Sequence, residues 1–244
     1  MAANGELDHD QPRRRLRAPV EHEVLAVVLQ VRDGVLAVLL WQRAQPPYQG
    51  RWALPGGALA IDEDLGPSIR RQLATKVDVR ELSHLEQLET RGAVDRHPDR
   101  RVIATAYLGL VPAHIDPDLP GDTAWHPVTD LPPTAYDHAE IIRAGRERLR
   151  SKLSYTNLGF ALAPPEFTMS QLRGYYTAAL GYPVSATNLQ RVLLRRGQIE
   201  STGRTAPPGR HGGRPAEVFR FRVRRLEVTD GFAVLRPPSQ APGQ

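Results

Sequence analysis

The sequence predicts an α/β chain in two modules: an N-terminal α/β/α sandwich of mixed strands, then a helix-turn-helix backed by two strands. Three observations predict it. Two apolar runs, Val24 to Gln30 and Val35 to Trp41, flank Asp33-Gly34, and an Asp-Gly pair between apolar runs is a strong hairpin signal. Leu54-Pro55-Gly56-Gly57 reads as a tight glycine turn and leads into a stretch where Ile69, Leu73 and Val77 recur at helical spacing. Residues 168–221 place two capped helices ahead of two strands joined by a basic, glycine-rich loop.

Taken in order, residues 1–19 are polar, contain Pro12 and Pro19 and lack apolar periodicity. They read as a disordered tail, whose Arg13-Arg14-Arg15 run fits a solvated segment better than a nucleic-acid contact. Residues 20–152 read as the sandwich. The hairpin ends at Arg43, and Gln45 to Gly50 is a loop. The glycine-led helix covers about 64–76. Leu85 to Thr90 is a strand, Gly92 to Arg101 a polar loop and Val102 to Val111 a long strand. Ala124 to Val128 is a short strand before a helix from His138 to Leu149, with Ile141, Ile142, Ala144, Gly145 and Leu149 on its buried side. Strands and two helices in this order suit a layered mixed sandwich.

Residues 153–232 read as the second module. Ser151 to Phe160 is a candidate hinge, although Leu153, Tyr155, Leu158 and Phe160 favour packing. Thr168 or Ser170 can cap a helix through its hydroxyl, with Leu172, Tyr175, Tyr176 and Leu180 as its apolar face. Gly181 to Val184 is a tight connection. Ser185 caps a second helix over 186–196, which points Leu189, Val192 and Leu193 inward and stops at Gly197. Ile199 to Gly203 and Ala216 to Phe221 are strands around a loop that carries Arg204, Arg210 and Arg214. This is the layout of a winged helix-turn-helix. Residues 233–244 read as a second disordered tail.

Composition narrows the classes. The hydrophobic fraction of 41% supports a real core, and the absence of cysteine excludes disulfides and thiolate metal sites. No apolar run approaches the ~18 residues a membrane span needs, and the N-terminus lacks the order of a secretory signal. A cytoplasmic location is expected. The net charge of +5 is uneven: residues 153–244 hold twelve Arg against five Asp or Glu, a net of +7, and the rest hold 20 against 22, a net of −2. A positive field on one module points to a polyanionic partner there.

The glycine-led stretch resembles the Nudix box. Gly57 matches its glycine, Glu63 its first glutamate, Arg71 its arginine, and Leu73 and Val79 its aliphatic positions. Gly50-Arg51-Trp52-Ala53-Leu54-Pro55-Gly56-Gly57 resembles the run into it. The departures fall on the acids: Gln72 replaces the glutamate after the arginine, Thr75 and Lys76 replace the Glu-Glu pair, and Asp78 replaces a glycine. In the family those glutamates hold divalent cations against a diphosphate. Magnesium takes hard oxygen ligands, which a hydroxyl and an ammonium do not replace, so neither a metal site nor catalytic residues are assigned. What remains is a binding domain. Backbone N–H groups of Gly56-Gly57 and nearby arginines suit diphosphate oxygens, so the effector-binding candidates are Arg43, Arg51, Trp52, Gly56, Gly57, Glu63 and Arg71. Trp52 or Tyr48 suits a base stack, with the core an equal alternative for Trp52. Glu63 and Arg71 can instead pair with each other, and a solvated role stays open for Arg43 and Arg51. The scattered histidines, among them His97, His126 and His138, read as structural or exposed.

In the second module, residues 186–198 contain no acid, whereas a merely solvated face mixes charges. Arg and Asn make bidentate contacts to guanine and adenine edges. Thr187, Asn188, Gln190, Arg191, Arg195 and Arg196 are the candidates for DNA contact on the helix. Arg204, Arg210 and Arg214 are those on the wing, reaching phosphates or the minor groove. The chain to about 232 also resembles the Nudix-related transcriptional regulators of NAD metabolism, whose C-terminal domain typically carries a run like Gly212-Gly213-Arg214-Pro215-Ala216. That resemblance implies a repressor of NAD synthesis or salvage genes, acting as a homodimer on a palindromic operator of double-stranded DNA and released by an ADP-ribose-like effector. No other cofactor is expected. Two alternatives stay open: an active Nudix hydrolase with an accessory binding module, and a regulator that senses a different sugar or sugar nucleotide.

Overall fold

The computed structural model describes residues 19–207 and 215–231. Apart from Pro19, the two tails lie outside these residues, as do Arg210 and Arg214. Strand β1 (Glu21–Arg32) and β2 (Val35–Gln42) form the hairpin. Asp33 and Gly34 have φ of 48° and 78°, the left-handed pair that a two-residue turn needs to match strand twist. Then come β3 (Trp52–Ala53), β4 (Gly56–Ala58), α1 (Leu65–Lys76), β5 (His84–Arg91), β6 (Val102–Leu110), β7 (Thr123–Pro127) and α2 (His138–Tyr155). The sheet runs β3-β2-β1-β6-β5, with β4 on β1 and β7 on β2. Only β1 and β6 pair in parallel among its ladders.

β1 is buried on both faces, which is why it reads as a continuous apolar run rather than an alternating one. Leu25, Val27, Leu29 and Val31 face α2, whereas Val24, Ala26 and Val28 face Ile69, Leu73 and Val77 of the α1 side. α2 lies so close that a Cβ on Gly145 would stand 2.8 Å from Val27.

The second module holds β8 (Phe167–Thr168), α3 (Met169–Leu180), α4 (Ala186–Arg195), β9 (Ile199–Ala206) and β10 (Ala216–Phe221), its strands ordered β8-β10-β9. Thr168 and Gln171 cap α3 reciprocally, Ser185 caps α4, and Gly181 closes α3 at φ 77°. Two expectations are corrected. Ser151 to Phe160 is not a hinge. Leu149 and Leu153 continue the buried stripe, so α2 runs on to Tyr155, across the boundary drawn at 152/153. The chain then enters a buried 3₁₀ turn, Leu158–Ala161. Buried Asn157 donates to the carbonyls of Val223 and Arg225 and accepts from the Glu227 N–H. Phe160, Leu172, Tyr176, Leu193 and Phe221 belong to one core with the α2-facing side of β1, so the two modules are packed together. The second correction is that β9 extends to Ala206, pairing with Ala216. Arg204 therefore sits on a strand rather than in a loop.

Candidate effector pocket and nucleic-acid interface

Gly56 and Gly57 do not form an open turn. They are strand β4, paired with Leu25 and Val24 of β1. A Cβ on Gly56 would overlap the Val24 carbonyl oxygen, and one on Gly57 would meet the Gln72 side chain at 2.7 Å. Gly56 is required by the β1 backbone, whereas a side chain at Gly57 would have to displace the end of Gln72. Gln72 is buried and donates to the Ala58 carbonyl.

This packing leaves a cavity of about 400 Å³ between β1, β2, β4, the end of α1 and the start of α2. Of the expected effector residues, Arg43, Gly56 and Gly57 line it; Arg51, Trp52, Glu63 and Arg71 do not. Trp52 pairs with Gln42 on β2 and packs against the core, its ring 4.3 Å edge-on from His126. Arg51 is exposed, its guanidinium 6.0 Å from the Tyr48 ring centroid. Arg71 donates to both Glu63 carboxylate oxygens, at 2.9 and 2.6 Å. That pairing holds the Glu63 pKa below the usual carboxylate value.

The cavity also collects residues that sequence reasoning passed over: Glu23, Trp41, Lys76, Arg100, Tyr136 and His138. Arg43 donates to the Pro47 carbonyl at 2.9 Å and stands 5.1 Å over the Tyr136 ring. Arg100 pairs with Glu21 at 2.8 Å. The one acid on the lining, Glu23, already accepts from buried Arg96 at 2.6 Å. Lys76 turns its ammonium onto the Gly56 carbonyl and over the Trp41 ring, 5.1 Å away. Burial, and then the charge of Arg43, lower its pKa. His138 is buried, and burial pushes its pKa down to about 3. Its Nδ1 accepts the Leu54 N–H at 3.0 Å, so the neutral ring carries its proton on Nε2. That donor is buried and has no protein partner. A cavity lined by three cations, one already paired acid and two aromatic side chains suits an anionic ligand with a ring. His138 had one legible signal, its place at the head of an amphipathic helix; Arg100 and Tyr136 had none.

On the second module, Thr187, Asn188, Arg191 and Arg195 are exposed on α4 and Gln190 is half-buried. Arg191 donates to Asn188 Oδ1 at 2.8 Å, which prearranges two of the candidate contacts. Arg196 turns away from this face: it donates to the Ser154 carbonyl at 2.8 Å and pairs with Asp230. Arg204 pairs with Glu166, just before β8. No helix among the described residues is long and apolar enough to cross a membrane.

The sheet, the cavity at its glycine strand and the basic α4 define a Nudix domain joined to a winged-helix regulator module. The chain belongs to the NrtR family of such regulators. The Nudix domain model matches residues 21–145, and the NrtR DNA-binding winged helix domain matches 159–221. The chain is similar to NrtR of Shewanella oneidensis, crystallised with a 27mer DNA. Identity is 31% and the TM-score 0.70, over 82% of this chain and 93% of that one. It is 29% identical over 204 residues to the ADPR responsive transcriptional repressor NtrR of Acinetobacter baylyi, covering 80% of this chain and 79% of that protein. A MutT/nudix family protein from Enterococcus faecalis shares the fold at 22% identity, with a TM-score of 0.69.

Proposed function

We propose that the protein is a cytoplasmic, homodimeric repressor of NAD biosynthesis or salvage genes. In this reading α4 enters the major groove of a palindromic operator, and ADP-ribose or a related nucleotide binds the β4 cavity and releases the DNA. The observation that carries the reading is a pair of basic surfaces in one packed chain: the acid-free face of α4 and the cationic, glycine-walled cavity. The similarity to a DNA-bound NrtR and to an ADPR responsive repressor supports each half. Thr187, Asn188, Gln190, Arg191 and Arg195 contact bases or phosphates; Arg196 is a structural tie. Arg43 and the Gly56-Gly57 strand hold the ligand, with Lys76, Arg100, Tyr136 and His138 added to the set. The protein is not an enzyme in this reading: Gln72 packs under Gly57, Glu63 is engaged by Arg71, and Thr75 and Lys76 supply no carboxylate.

The test is fluorescence anisotropy on the protein's own upstream intergenic DNA, at two salt concentrations, with and without ADP-ribose. Tight, sequence-selective binding that ADP-ribose releases is expected. Selective binding indifferent to ADP-ribose moves the effector to another sugar nucleotide. Binding that is equal on random DNA and erased by modest salt reduces α4 to a basic surface.

A further inference from the structure

The box region of this fold implies a divalent cation, and the residues present do not fit one. Glu63 is engaged on both carboxylate oxygens by Nε and Nη2 of Arg71. Gln72 is neutral and packed beneath Gly57. Thr75 bonds the Arg71 carbonyl of its own helix at 2.8 Å. Of these four positions, Lys76 is the one that lines the cavity, and it brings a positive charge where the resemblance places a carboxylate.

We propose that the Lys76 ammonium takes the place of the cation, so that the cavity binds a diphosphate-bearing nucleotide without any metal. Four observations carry this. Lys76 is the last residue of α1, where a cation is favoured by the helix dipole. Its ammonium is held in place by the Gly56 carbonyl and the Trp41 ring. An ammonium has three donors, so with Gly56 bonded it keeps donor capacity for phosphate oxygens. Arg43 is close enough for its charge to act on Lys76, so a ligand phosphate between them relieves that repulsion and gains two charge-assisted bonds. His138, whose buried Nε2 has no protein partner among the described residues, is also one of the lining residues.

The inference rests on the reading that this cavity is the nucleotide site. Its test is isothermal titration of the full-length protein with ADP-ribose in EDTA and again in magnesium, for the unaltered chain, Lys76→Met and Lys76→Arg. Each variant's thermal melt shows that it is folded. The unaltered chain is expected to bind equally in both buffers. Lys76→Met weakens binding by about tenfold or more, the scale of a hydrogen bond to a charged group, and Lys76→Arg restores most of the loss. A folded Lys76→Met that binds like the unaltered chain overturns the inference, as does binding that needs magnesium; in both cases the nucleotide site stands. Failure of the unaltered chain to bind in either buffer removes the site reading itself, and the inference with it.

Discussion

The cavity and helix α4 are both basic, but they hold their charges differently. Around the cavity each cation already has a protein partner: Pro47 and Tyr136 for Arg43, Gly56 and Trp41 for Lys76, Glu21 for Arg100. On α4, Arg191 hydrogen-bonds among the described residues to the neighbouring Asn188, and Arg195 is exposed. The first arrangement is preorganised for one small ligand of definite shape. The second leaves its arginines to solvent, so in the proposed reading its DNA contacts draw on the release of counterions. On the proposed reading, one chain would thus carry a shape-selective anion site and a salt-sensitive one.

The sharpest way to break the comparison is to replace Arg191 and Arg195 together by Ala. Operator affinity is expected to fall by about 30-fold or more, since contacts of this kind are each worth about 1–3 kcal/mol. ADP-ribose affinity should stay put. Titrations across salt sharpen the result, because losing Arg195 should flatten the logarithmic salt slope by about one if it neutralises a phosphate. The mirror experiment is Arg43→Ala. Nucleotide affinity drops by roughly 10- to 100-fold, from about 1.5–3 kcal/mol for hydrogen bonds to a charged group, while DNA binding without effector is unchanged. Equal losses in both assays would sink the separation of the two sites.

A third prediction concerns pH. His138 is kept neutral in the fold, its pKa falling from 6.5 to about 3 because of burial. The unfolded chain therefore takes up a proton that the folded chain refuses. The stability due to this group is complete above pH 6.5 and is lost as pH falls from 6.5 toward 3, by up to about 1.4 kcal/mol per pH unit. Urea melts between pH 7 and 4.5 should show this slope, and it should flatten in His138→Asn. Arg196→Ala is smaller: about 1 kcal/mol of stability, from the ties to Ser154 and Asp230, with the DNA salt slope unmoved. A flatter slope there would return Arg196 to the DNA contacts. The smallest change is Glu63→Gln. The pair with Arg71 is at the surface, where ion pairs contribute little, so nucleotide affinity should hold within about twofold.

The hairpin turn, the Ser185 cap and the acid-free face of α4 were legible because each is a matter of a few adjacent residues, whereas the cap of α3 was left open between Ser170 and Thr168. Asp33-Gly34, Thr168 and Ser185 act through their own backbone neighbours. The Glu63–Arg71 pair was half legible, as one of two roles open to those residues. Trp52 was undecidable, because an indole serves a base or a core equally well until β3 is placed on β2.

What the sequence determined by itself was the order of the longer strands and of the four α-helices, the segregation of positive charge into the last third of the chain and the mismatch between the box and its acids. These depend on backbone propensity, turn stereochemistry and composition, all of which act locally. Tertiary structure alone decided that the glycines meet β1 and Gln72, that α2 continues into the second module through Leu153, and that Lys76 turns back to the Gly56 carbonyl. It alone brought Arg100, Tyr136 and His138 to one wall. A cavity is set by which side chains converge from distant strands and by where the leftover hydrogen-bonding capacity points, and neither quantity exists until the sheet has closed against its helices.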